Sequence, residues 1–279
     1  MANASTPSAG LVFYDIAMRP PVEETCCSPN PWKSRYALNF KKVPYSTSWV
    51  QLPDITKVRC ALGVPASRTF ADGSDYHTLP MLSDPAHSAK IGDSFDIAIY
   101  LQKTYPDSGV GDLFPPQKLD YDFPYDLALF APLSERNDSE FADYSAFNTN
   151  VDAAFSMHVL LMSYGLPFDP ATADITKADF ARRANSASWD DLTVHGEERE
   201  KLKRSFCDTL AGLADLLKKE PSGPFLLGTQ PSYADAIIGG WLRMMYVTLP
   251  EAEWEEARTW HGGVFGRLHD ALQTYAEVK

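Results

Sequence analysis

Leu11-Val12-Phe13-Tyr14 is a short apolar run bounded by Gly10 and Asp15, and Tyr45-Ser46-Thr47-Ser48-Trp49-Val50 alternates large with small side chains at period two. Both patterns predict strands. Between them Trp32, Tyr36 and Phe40 recur every four residues, while Lys33, Ser34, Lys41 and Lys42 take other directions. That is the spacing of a helix with one buried face, from about Pro31 to Lys42. Residues 11–50 therefore read as a β-α-β unit, and the usual right-handed crossover makes its two strands parallel.

Leu79-Pro80-Met81-Leu82 predicts a third strand, Ser83-Asp84-Pro85 a turn, and Ala89-Lys90-Ile91 a short fourth strand. Asp93-Ser94 opens a further helix whose apolar positions Ile97, Ala98 and Leu101 keep one face; Tyr105-Pro106-Asp107-Ser108-Gly109 ends it. The Pro-, Gly- and Asp-rich residues 106–116 read as a linker between domains. Beyond it the spacing is three and four residues over 125–133, 141–162, 197–219 and 234–245, with little strand-like alternation. The expectation is an α/β domain over residues 10–105 and an all-α domain over 117–279. The loop 163–174, with Gly165, Pro167 and Pro170, separates two long helices or marks an insertion. Ser232-Tyr233-Ala234-Asp235 is a capping box, a folding signal rather than a catalytic one.

A chain of 279 residues that is 44% hydrophobic can bury a substantial core. Its formal net charge of −12 argues against nucleic acid and anionic membranes as partners, which call for concentrated Lys and Arg. No segment reaches the roughly 18 apolar residues of a membrane span. Residues 1–10 read as a short disordered lead rather than a secretory signal. The cysteines at 26, 27, 60 and 207 include an adjacent pair that cannot easily bridge and form no CxxC, which fits reduced thiols in a cytoplasmic protein. The histidines show no metal-ligand spacing, and no metal is expected.

Chemistry concentrates at Cys26-Cys27-Ser28-Pro29-Asn30-Pro31-Trp32, where hydroxyl, thiol and amide groups precede a helix. First-turn N–H groups lack intrahelical partners and carry the positive end of the helix dipole, so they favour an anion such as a thiolate. Asn30 followed by Pro31 reads as the N-cap and first helical residue, which leaves Ser28 outside the helix and free to face a ligand; the alternative is that Ser28 is itself the cap.

The order β-α-β, then Thr78-Leu79-Pro80 entering a hairpin, then Asp93-Ser94 starting a helix, then an all-helical half, resembles the glutathione transferase family. Phe225-Leu226-Leu227-Gly228 with Pro231-Ser232-Tyr233-Ala234-Asp235 resembles its second-domain helix start, and residues 28–39 resemble the fungal-specific class A members related to bacterial lignin β-etherases. The resemblance covers nearly the whole chain. It implies a thioredoxin-like domain followed by an α-helical bundle, glutathione as co-substrate, and a cytoplasmic homodimer.

By that resemblance Ser28 donates a hydrogen bond to the glutathione sulfur. Cys27 is the competing residue, suited to thiol transfer through a mixed disulfide. Pro80 matches the family's cis-proline, with Leu79 pairing its backbone with glutathione. Asp93 and Ser94 match the pair that receives the γ-glutamyl end; either would also cap the helix without a ligand. Many members have Gly-Lys where this chain has His77-Thr78, so the glycyl carboxylate is left to Trp32, Lys33 or Lys41, with Asn30 also near the ligand. Tyr121, Phe123, Tyr125 and Phe130 are expected to wall a cleft between the domains that takes flat aromatic electrophiles, whether esters, peroxides or aryl ethers. The alternative is a ligandin-type protein that holds aromatic or polyphenolic plant or fungal metabolites with little turnover.

Overall fold

The computed structural model describes residues 10–70, 73–124, 133, 140–184 and 186–279. The β-α-β unit forms as its pattern predicts. Strand β1 (Leu11–Ala17) pairs in parallel with β2 (Tyr45–Gln51), Leu11 opposite Tyr45 and Ala17 opposite Gln51. A single turn, α1 (Val22–Thr25), and the helix α2 (Pro29–Phe40) connect them. Strand β5 (Met81–Asp84) runs antiparallel to β1, and β6 (Ala89–Ile91) antiparallel to β5, giving the sheet order β2-β1-β5-β6. Helix α4 (Ser94–Thr104) follows, with Asp93 as its N-cap. This is a thioredoxin-like domain.

Three differences from the sequence reading matter. Helix α2 begins at Pro29, not Pro31, so Ser28 rather than Asn30 is its N-cap. The third strand begins at Met81, which leaves Leu79-Pro80 in the loop before it, joined by a cis peptide bond. Between β2 and that loop the chain adds helix α3 (Ile55–Leu62) and a separate two-stranded hairpin, β3 (Arg68–Thr69) with β4 (Asp75–Tyr76). The α3 pattern was readable: Ile55, Val58 and Leu62 lie three and four residues apart, and Gly63 ends the helix in the left-handed conformation at φ 67°.

The second half is helical: α5 (Ala142–Ser156), α6 (Leu160–Ser163), α7 (Ala173–Arg183), α8 (Gly196–Thr209), α9 (Ala211–Lys218), α10 (Tyr233–Thr248) and α11 (Glu251–Leu272). The single helix expected over 141–162 breaks into α5 and α6, and that over 197–219 divides at Leu210. The helix expected over 125–133 falls outside the described residues except for Leu133. Helix α11 is kinked where Trp260 to Gly263 leave helical φ/ψ. The capping box at Ser232 and Asp235 forms: the Asp235 carboxylate accepts the Ser232 and Leu226 N–H groups, both at 2.8 Å. No helix among the described residues is long and apolar enough to cross a membrane.

One large core runs through both halves, with Trp32, Tyr36 and Phe40 of α2 meeting Tyr233, Ile237 and Trp241 of α10. Gly240 makes this approach possible. A Cβ there would stand 2.5 Å from the Pro29 carbonyl oxygen, so α10 lies directly on the first turn of α2.

Candidate functional site

A cavity of 180 Å³ opens between the two domains, and the start of α2 forms one of its walls through Ser28, Pro29 and Asn30. Ser28 has extended backbone dihedrals (φ −62°, ψ 127°) and its carbonyl receives the Trp32 N–H at 3.2 Å. By backbone geometry it is the cap. Its hydroxyl nevertheless makes no capping hydrogen bond, because Pro29 and Pro31 remove two of the first-turn donors. The side chain therefore stays available at the positive end of a twelve-residue helix. Asn30 sits in the first turn, and its Oδ1 is buried without a hydrogen-bond partner.

The loop that leads into Ser28 is fixed from the helical domain. Arg243 of α10 donates to the Glu24 and Cys26 carbonyls at 2.7 and 3.3 Å, and its guanidinium lies 4.6 Å from the centroid of the Trp32 ring. The Trp32 indole N–H donates to the same Cys26 carbonyl at 2.8 Å. Trp32 is thus a clamp inside the core and does not line the cavity.

The other wall of the thioredoxin-like domain brings Thr78 and Leu79 to the cavity beside Arg68 and Tyr76, which face each other across the β3–β4 hairpin. Buried Arg59 braces this wall. It donates to the carbonyls of Thr78 and Gly92 at 2.5 and 2.9 Å, and to that of Pro65, so the cis-proline loop and the approach to α4 share one cation.

The remaining candidates are placed as follows. Cys27 is fully buried among Met18 and Phe168, and burial pushes its thiol far above the ordinary range; Cys26 is also buried and pushed up to about 12. Neither thiol is accessible or ionised near neutral pH, which removes the geometry that a mixed disulfide at Cys27 needs. Lys33 is fully buried; its ammonium donates to Asp152 at 2.5 Å and Asn148 at 2.9 Å, and burial pulls its pKa down against the opposing pull of Asp152. Lys41 is buried too and donates to the carbonyls of Pro106 and Gly111 in the interdomain segment. Neither lysine reaches the cavity.

Asp93 accepts the Phe95 N–H at 2.8 Å as an N-cap; it and Ser94 are buried and not among the cavity-lining residues. Tyr121 is a core residue: it packs on Phe147 and donates its hydroxyl to the Thr209 carbonyl at 3.2 Å. Phe123 packs against the same core away from the cavity. Their clustering after the linker is a signal that core aromatics share. Tyr125 and Phe130 lie outside the described residues.

Sequence reasoning missed Arg68, Tyr76, Asp152, Ser156, Phe180 and Trp241, which also line the cavity. Only the i, i+4 spacing of Asp152 and Ser156 on one helix face hinted at a shared surface. Arg68 is the one cation and Asp152 the one carboxylate among the described lining residues. Among the described residues no group of three or more His, Cys, Asp or Glu side chains converges on a metal position.

Residues 27–104 match the glutathione S-transferase N-terminal domain and residues 145–275 the C-terminal domain of the same family. A glutathione S-transferase of Ceriporiopsis subvermispora, solved in complex with glutathione, superposes with a TM-score of 0.78 at 29% identity, covering 97% of this chain and 99% of that one. Glutathione transferase GSTFuA2 from Phanerochaete chrysosporium gives 0.73 at 26% identity, over 97% and 99% of the two chains. The glutathione S-transferase-like protein ustS of Aspergillus flavus is 27% identical over 98% of this chain and 93% of its own length. Matched in both domains and sharing its fold end to end with a glutathione-bound enzyme, the chain belongs to the glutathione S-transferase family, an enzyme whose co-substrate is glutathione.

Proposed function

We propose that this enzyme holds glutathione against the start of α2, stabilises its thiolate with the Ser28 hydroxyl, and transfers it to a hydrophobic aromatic electrophile in the interdomain cavity. The observation that carries this reading is the Ser28 hydroxyl, which caps nothing and stands at a helix N-terminus on the cavity wall. A free thiol has a pKa of about 8.5. A hydrogen bond to the charged sulfur contributes about 1.5–3 kcal/mol and the helix end on the order of 0.3–1, enough to bring the thiolate to neutral pH without a basic side chain.

Within this reading Leu79 offers its backbone to the peptide, and the γ-glutamyl end lies toward the first turn of α4. The glycyl carboxylate goes to Arg68, which lines the cavity where Lys33 and Lys41 do not reach. A guanidinium suits a carboxylate by its planar, two-pronged geometry. The residue equivalent to the family's lysine is Thr78, so the cation arrives from the added hairpin instead. Aromatic acceptors fit a cavity lined by Tyr76, Phe180 and Trp241 beside aliphatic side chains.

The test is calorimetric binding of glutathione, followed by glutathione-dependent turnover of an electrophile panel: an activated aryl halide, an aryl isothiocyanate, an aryl ester, an organic peroxide and a β-aryl ether. Glutathione binding with turnover of at least one member is expected. Binding of glutathione and of the aromatics without turnover would replace transfer with a ligandin role, and no binding of glutathione would overturn the reading.

A further inference from the structure

The helical-domain wall of the cavity is mostly apolar, built from Val159, Leu166, Phe180, Trp241 and Met244. Two side chains depart from that. Asp152 and Ser156 stand one turn apart on α5 and both line the cavity. Asp152 is 6% exposed. Its Oδ1 already accepts the Lys33 ammonium at 2.5 Å and the Trp241 indole N–H at 2.7 Å. Among the described residues its Oδ2 receives only the Asn148 amide at 3.3 Å, a long contact. A carboxylate can accept at about four lone-pair positions, so Oδ2 keeps unused capacity. The Ser156 hydroxyl has no hydrogen-bond partner among the described residues, and it can both donate and accept.

Lys33 pairs with this carboxylate through Oδ1 from inside the protein and does not line the cavity, and the cavity's cation, Arg68, belongs to the opposite domain. The acceptor end therefore offers hydrogen-bond acceptors on an apolar surface. A ligand that brings a donor satisfies Oδ2. One that brings only apolar atoms takes water from Oδ2 and returns nothing, at a cost of about 1–3 kcal/mol. One that brings a carboxylate adds only acceptors and leaves its own oxygen and Oδ2 without a donor.

We propose that Asp152 and Ser156 make the acceptor site selective for uncharged aromatic compounds that carry a ring hydroxyl or ring amine, and selective against aromatic carboxylates. The proposal rests on glutathione occupying the Ser28 side of the same cavity.

Product-like thioethers separate the two layers of this argument, because they fill both halves of the site without needing turnover. The probes are S-benzylglutathiones bearing hydrogen, hydroxyl, amino, methoxy or carboxylate at ring position 3 or 4, with glutathione alone as control. Their Kd values are measured by isothermal titration calorimetry on the wild-type enzyme and on the Asp152→Asn and Ser156→Ala variants.

In the wild type, the better-placed hydroxyl and amino compounds bind about 10-fold tighter than their methoxy counterparts, and the carboxylates bind weakest. Ser156→Ala reduces the hydroxyl-to-methoxy ratio. Asp152→Asn brings it close to unity and relieves the carboxylate penalty, both read as ratios within that variant because it also breaks the pair with Lys33, whereas in Ser156→Ala the Kd of glutathione itself stays at its wild-type value. Equal binding of hydroxyl, amino and methoxy probes by the wild type overturns the proposal, as does a ratio that survives both substitutions. Glutathione that binds while the substituent series is flat removes only the acceptor assignment. Glutathione that fails to bind removes the thiolate reading with it. Should Asp152→Asn fold poorly, Ser156→Ala, which breaks no hydrogen bond among the described residues, carries the test alone.

Discussion

Ser28→Ala removes one hydroxyl from the cavity wall and leaves α2, and so its dipole, in place. Because that hydroxyl caps nothing, the substitution breaks no hydrogen bond among the described residues, and the fold should be indifferent to it. The lost hydrogen bond to a charged sulfur is worth about 1.5–3 kcal/mol, and at 1.36 kcal/mol per unit the pKa of bound glutathione should rise by about 1–2 units. The rate falls by less than the thiolate fraction does. A thiolate of higher pKa is a better nucleophile, with a Brønsted coefficient of about 0.4–0.5, so from a bound pKa of about 7 kcat/KM at neutral pH should drop only about 2- to 8-fold. In alkali, where both enzymes hold a full thiolate, the deficit should disappear and turn into a several-fold gain for the more basic thiolate. Ultraviolet titration of enzyme-bound thiolate gives the pKa directly, a pH profile of kcat/KM gives the kinetic counterpart, and Ser28→Thr should preserve both. An unshifted thiol pKa in Ser28→Ala refutes the assignment. A loss of the same size at every pH refutes it too, since that would mean misplacement rather than weaker ionisation. A pKa shift that follows Cys27→Ala instead would give the sulfur to Cys27, against the burial that now excludes it.

Three further outcomes follow from the same geometry. Arg68→Ala should raise the KM for glutathione about 10-fold, the lower end expected for a charge-assisted pair that is half-exposed, but should not change the KM for glutathione glycyl ethyl ester; equal effects on both substrates would separate Arg68 from the carboxylate. Lys33→Met strands Asp152 between the domains and should cost about 3–5 kcal/mol in urea denaturation, most of it recovered in Lys33→Met/Asp152→Leu, and a loss below about 1 kcal/mol would show that the pair is not buried as described. His158 and His269 are both held by burial below their ordinary pKa, so the unfolded chain binds more protons and stability is lost as pH falls from about 6.5 toward their folded pKa values, at up to about 1.4 kcal/mol per pH unit for each. Asp235, pushed up to about 6 by burial, acts with the opposite sign between about 4 and 6, so His158→Phe should flatten the acid limb of a Tm-against-pH curve and Asp235→Asn should steepen it.

Ser28 owes its position to the second domain as much as to its own. Arg243 and Gly240 come from α10: the first fastens the Glu24 and Cys26 carbonyls, and the second lets that helix touch the first turn of α2. Lys33, one turn into α2, reaches across to Asp152 on α5. The start of α2 and the helical-domain wall of the cavity are therefore joined by one buried ion pair. A ligand that engages Asp152 acts on the residue that holds Lys33, so acceptor-side substitutions should change glutathione binding only where they disturb that pair. Ser156→Ala leaves it intact and Lys33→Met does not.

What the sequence made legible was local. Periodicity placed β1, α2, β2 and α4, and the Ser232–Asp235 spacing anticipated a capping box whose two hydrogen bonds form. The start of α2 was misread by two residues because Asn30-Pro31 and Ser28-Pro29 offer the same cap-then-proline signal; the earlier pair sets the boundary while its serine side chain leaves the helix uncapped. The conclusion that the hydroxyl is unspent survives, though for a different reason. The non-local parts were out of reach. Lys33 and Lys41 look like surface charges in the sequence, and only the arrival of α5 and of residues 106–111 makes them interior groups. Tyr121 looks like a cleft aromatic for the same reason in reverse, since nothing before residue 209 announces the carbonyl that takes its hydroxyl. Charge and aromaticity identify what a side chain can do, whereas its partner's element decides whether it faces ligand or core, and for these residues the partners lie about 65 to 120 residues away along the chain.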